Sequence, residues 1–112
     1  MSLRRLLGIA ALATLVAGPA FAQCDTRFVV RNQSGLQVNE FYFGPSSDSN
    51  WGPDRLGANV LPNGAAMTFN TGRPGPHDFK VVWPNGQYAE LMRLDICVTS
   101  EIVATPNGIV AR

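Results

Sequence analysis

At 112 residues and a formal charge of +1, the chain is sized for one domain and carries no basic excess that would draw it to nucleic acid. Its hydrophobic fraction of 46% contains no apolar run as long as the ~20 residues of a bilayer span, and a single histidine with two cysteines leaves transition metals without a ligand set.

Arg4 and Arg5 precede an apolar run over residues 6–16, Gly18 and Pro19 interrupt that run, and Ala20-Phe21-Ala22 supplies a small-x-small triplet. This layout predicts a cleavable signal peptide over residues 1–22 and a periplasmic or secreted domain over residues 23–112, with no membrane anchor after cleavage. Gln23 stands where lipidation of Cys24 needs a small residue, and Leu6-Leu7-Gly8 fits the twin-arginine pattern poorly. Loss of Arg4 and Arg5 leaves seven Lys/Arg against eight Asp/Glu, a formal charge of −1.

In an oxidising compartment Cys24 and Cys97 have only each other, so a disulfide is expected. Closing a loop of roughly 74 residues stabilises a domain by about 4 kcal/mol in the chain-entropy account. A catalytic or metal role would need a CxxC spacing or a paired histidine, and neither is present.

Short β-rich runs then alternate with Gly/Pro/Asn turns. Residues 27–32 alternate as a strand, and residues 36–43 follow with Phe41 and Phe43 on one face, Tyr42 on the other, and a bulge near Asn39 and Glu40. A long loop leads to a weaker hairpin of residues 56–61 and 65–70. Residues 77–83 align Phe79, Val81 and Trp83, residues 87–94 return, and residues 95–99, 102–105 and 109–111 complete the set. Pro-Asn-Gly begins at Pro62, Pro84 and Pro106. Each triplet is turn chemistry, with proline presetting φ and glycine taking the left-handed position. The flanking residues barely match, so the pattern is a meander of similar hairpins rather than a sequence repeat. The expected fold is all-β, an antiparallel two-layer sandwich of the Ig-like general kind with about seven short strands.

Five elements carry a resemblance: the Asn-x-Ser-Gly turn at Asn32, the Phe-Tyr-x-x-Pro-Ser-Ser exit after Phe41, the Trp-Gly-Pro-Asp-x-Leu-Gly loop at Trp51, Asp78-x-Lys80, and Asp95-x-Cys97. Together the chain resembles a family of small uncharacterised secreted bacterial proteins bearing export signals. The resemblance implies a β fold and secretion, and no activity.

Residues 46–57 exceed an ordinary hairpin link, which marks a functional loop or an elaborate structural one. In a structural role Trp51 caps the sandwich edge, Asp54 and Ser46 close side-chain turns, and Arg55 pairs with a carboxylate. In a recognition role Trp51 forms an exposed aromatic platform with Tyr42 or Trp83. A Ca²⁺ set of Asp48, Asn50 and Asp54 lacks the spacing of an EF-hand. Enzyme readings have less support: no Gly-x-Ser-x-Gly elbow exists, and His77 at a strand entrance is expected in a surface or turn role. The sequence therefore points to a non-enzymatic binding or protein-interaction module, without cofactor or metal, for a protein or glycan partner in the cell envelope. Its candidate binding residues are Tyr42, Trp51, Asp54 and Arg55, with the tryptophan as apolar anchor and the charged pair for orientation. The alternative is a small envelope structural or self-assembling protein, for which residues 102–105 would supply an exposed, uncharged edge strand.

Overall fold

Phe28, Val30 and Asn32 turn inward from strand β1 (Arg27–Asn32), as period-two alternation requires, in the computed structural model, which describes residues 24–112. Along the chain follow β2 (Glu40–Pro45), β3 (Ala66–Asn70), β4 (Pro76–Val82), β5 (Tyr88–Asp95), β6 (Glu101–Thr105) and β7 (Gly108–Ala111). They form one sheet in the order β3-β1-β6-β7 and a second in the order β2-β4-β5. The expected seven-stranded sandwich is the fold found. Its four-and-three division is that of an Ig-like constant domain, although the strand order differs.

The core lies between the sheets. Phe28, Val30, Ile102, Ala104 and Ile109 from one layer meet Phe41, Phe43, Phe79 and Val81 from the other. The ring of Phe28 stands edge-on to Phe43 at 5.1 Å and to Phe79 at 5.3 Å between centroids, the geometry that aromatic quadrupoles favour.

Four local expectations are corrected. Residues 56–61 form no strand: the chain turns at 55–58, and Leu61 alone bridges Val38. Leu56 and Leu61 are both buried while Val60 is exposed, so the apolar spacing belongs to a folded-back loop rather than to a pleat. Residues 95–99 enclose a 3-10 turn (Ile96–Val98), in which the Asp95 carboxylate accepts the Cys97 N–H at 2.9 Å. Residues 36–43 divide, leaving Leu36 exposed and starting β2 at Glu40. Residues 102–105 are no edge: β6 lies between β1 and β7, with Ile102, Val103 and Ala104 fully buried. A strand covered on both faces reads as a continuous apolar run, which explains its lack of charges.

β6 also pairs parallel with β1, from Val29 opposite Glu101 to Asn32 opposite Ala104, the one departure from antiparallel pairing among the described strands. Parallel strands begin at the same end. Cys24 and Cys97, each a few residues before its strand, are therefore neighbours, and they form the expected disulfide with 5.0 Å between their Cα atoms. The expected signal peptide, residues 1–22, lies outside the described residues.

Candidate functional site

Side chains that alternate away from the core on β2, β4 and β5 form the open face of the three-stranded sheet. The register sets Tyr42 beside Lys80, Lys80 beside Glu90, and Val82 beside Tyr88. The loop after β2 returns across this face and lays Trp51 6.4 Å from Tyr42, ring centroid to centroid. Lys80 stands in the middle: its Nζ is 4.5 Å from the Tyr88 ring, 5.8 Å from the Trp51 ring and 3.9 Å from a Glu90 carboxylate oxygen. A cation held over aromatic faces is attracted by their quadrupoles, and here it also fixes the spacing of the rings. Trp51 and Tyr42 are half-buried, whereas Tyr88 is 60% exposed and Met92, farther along β5, 51%.

The Tyr42 hydroxyl donates to the Glu40 carboxylate. That bond, with help from partial burial and the negative charges of Glu40 and Asp54, pushes the phenol's pKa up to about 12. Tyr42 is thus held as a neutral donor at any physiological pH. A hollow of about 280 Å³ opens beside Trp51, lined by Asp48, Asn50, Asp78, Glu90 and Met92. Asp78 is 9% exposed, and one of its oxygens accepts from the Ser46 hydroxyl at 2.7 Å and the Arg93 N–H at 2.8 Å, which anchors the start of the loop to β4 and β5.

Asp54 and Arg55 do not join the rings. One Asp54 oxygen accepts the N–H groups of Phe41 at 3.0 Å and Leu56 at 2.9 Å. The Arg55 N–H donates to the Phe41 carbonyl at 2.7 Å, and its guanidinium donates to the Phe43 carbonyl at 3.0 Å while lying 4.1 Å above the Phe43 ring. The pair stands in for a missing neighbour strand along the free side of β2. The carboxylate expected for Arg55 is replaced by a carbonyl and a ring; among the described residues no acidic side chain lies within ion-pair distance of it. With Asp54 turned to β2, the oxygens considered for Ca²⁺ are divided between two places, and among the described residues no group of three His, Cys, Asp or Glu is placed to hold a metal.

Two further placements differ from expectation. His77 is buried at 2% exposure, so the surface half of its expected role fails, while the turn half stands, its Nδ1–H donating to the Gly75 carbonyl at 3.0 Å. A register shift between His77 and Phe79 breaks the alternation and buries three consecutive residues, which the strand pattern could not reveal. Trp83 belongs to the core instead of the platform, and its indole N–H donates to the Ser34 hydroxyl at 3.0 Å. Buried Asn32 accepts from Ser34 and donates to the carbonyls of Leu36 and Leu61 at 2.7 and 2.9 Å, so the Asn-x-Ser-Gly turn is a polar staple. The Pro84 and Pro106 turns converge beside it on a groove of about 470 Å³, and Asn63 of the Pro62 triplet accepts the Gly35 N–H. Sequence reasoning missed this gathering of turns, although the equal triplets were its visible sign.

No protein-family model, curated protein or solved structure matches the chain. Among the described residues no helix is long and apolar enough to cross a membrane.

Proposed function

We propose that the protein is a non-enzymatic recognition module of the cell envelope or the extracellular space, and that it binds a glycan across the open face of Tyr42, Trp51, Lys80 and Tyr88. The observation that carries this reading is the grouping of rings around one lysine, half-buried at Tyr42 and Trp51 and exposed at Tyr88, on a face the core does not require. Flat, two-rotor side chains give contact area at low entropy cost, and the neighbouring carboxylates and amide of the hollow suit a ligand rich in hydroxyl groups. Lys80 and Glu90 take the orienting role first expected of Asp54 and Arg55. Export rests on the signal-peptide pattern of residues 1–22, and the Cys24–Cys97 disulfide is consistent with an oxidising compartment. Membership of the small secreted bacterial family remains part of this proposal.

The structural alternative loses its stated support, since residues 102–105 are internal. A protein partner would use the same rings. Screening the disulfide-bonded domain on an array of envelope glycans, beside Trp51→Ala, separates these outcomes. The expected result is a glycan retained by the native domain and weakened at least tenfold by Trp51→Ala, with both melting alike. Equal retention by both would remove the site, while envelope capture of a protein, lost in the variant, would transfer it to the protein reading.

A further inference from the structure

Three of the four sheet edges among the described residues are guarded. The free side of β2 is covered by Asp54 and Arg55. β5 carries Glu90, Arg93 and Asp95 and is distorted at Arg93, whose φ is +57°. β7 has only four residues. β3 has none of these devices. Residues 63–72 contain no charge and no proline, and Ala66, Met67, Thr68 and Asn70 are all exposed. Edges of this kind are templates for another strand unless blocked.

The free groups of β3 can be identified. The Asn32 N–H donates to the Ala65 carbonyl at 2.9 Å and the Thr71 N–H to the Thr26 carbonyl at 3.0 Å. With the antiparallel register of Phe28 opposite Phe69 and Val30 opposite Met67, these bonds direct the backbone groups of 67 and 69 toward β1. Ala66, Thr68 and Asn70 consequently turn their N–H and C=O groups outward.

We propose that β3 is the pairing edge of a symmetric homodimer, two copies joining antiparallel about Thr68 so that their four-stranded sheets become one. The register is self-complementary: Ala66 faces the partner's Asn70, Thr68 faces the partner's Thr68, and every outward N–H meets an outward carbonyl. An isologous two-fold contact demands this of a single edge. On the core side Met67, 37% exposed, comes opposite the partner's Phe69, an apolar pair at non-hydrogen-bonded spacing. On the outer side only Thr68 and small or amide side chains meet, and the Asn70 amide is already tied to Thr26 and Gly72. The ring-bearing face lies on the other sheet, so the dimer leaves two such faces free for a multivalent ligand.

Sedimentation equilibrium of the disulfide-bonded domain over a concentration series tests this. The native domain is expected to form a dimer whose dissociation constant rises at least tenfold in Thr68→Lys, which sets two cations across the two-fold axis. Val110→Lys on β7 is expected to leave it unchanged. Amide exchange of the native domain supplies a readout independent of any variant's folding: Ala66, Thr68 and Asn70 become protected only where dimer is present. A monomer at every concentration, a dimer indifferent to Thr68→Lys, or edge amides that exchange equally in monomer and dimer would overturn the proposal.

Discussion

Tyr42 shows how one side chain serves both the fold and the surface. Its hydroxyl donates to Glu40 while its ring meets Trp51, so the proton is held more tightly in the folded chain than in the unfolded one. The folded pKa of about 12 lies above the ordinary value of 10.0. The resulting stabilisation is complete below pH 10 and disappears as pH rises through about 12. Urea unfolding at stepped pH should therefore show the native domain losing stability more steeply than Tyr42→Phe across that window; equal slopes would mean that the phenol is not restrained by Glu40. The partnership of Tyr42 with Trp51 was legible, because a long loop follows directly on the strand that presents the tyrosine. Lys80 and Tyr88 were not singled out, since they join the rings only through the β4–β5 register, which the turn at Pro84-Asn85-Gly86 sets and which strand alternation alone does not reveal.

Among the elements, the loop over residues 46–57 is the least regular and the most consequential. Its first half lays Trp51 on the open face, and its second half closes the side of β2 through Asp54 and Arg55. Asp54→Ala leaves the N–H groups of Phe41 and Leu56 without their acceptor and should destabilise the domain by about 2 kcal/mol. Asp54→Asn keeps an amide oxygen and should recover most of that loss in denaturant titrations, whereas equal damage from both would point to the negative charge instead of the hydrogen bonds. β1, which alternates cleanly, and β4, which alternates from Phe79 onward, could be placed from sequence to within a residue. Residues 56–61 could not, because Leu56 and Leu61 are buried by a turn that mimics strand composition. The edge status of β6 was misjudged for a related reason: absence of charge marks an exposed sticky strand and a doubly covered one alike, and only the sheet order separates them.

At the scale of the whole molecule, the parallel β1–β6 pair joins the two ends of the described chain and sets the hardest step of assembly. Val29 and Glu101 must meet across most of the chain, a non-local contact that slows folding. The disulfide changes that distance. Through the bridge, Val29 lies five residues from Cys24, and Glu101 four from Cys97, so the pairing becomes local once the sulfurs are joined. The Cys24→Ser, Cys97→Ser double variant should accordingly lose about 4 kcal/mol at equilibrium and refold more slowly than the oxidised domain. If the pair were formed late, the restraint would act mainly on unfolding, and the variant would unfold faster with little change in refolding. Stopped-flow refolding and unfolding of both forms in denaturant distinguishes the two: a change confined to the unfolding limb would remove the β1–β6 pair from the folding nucleus while leaving the disulfide's contribution to stability intact.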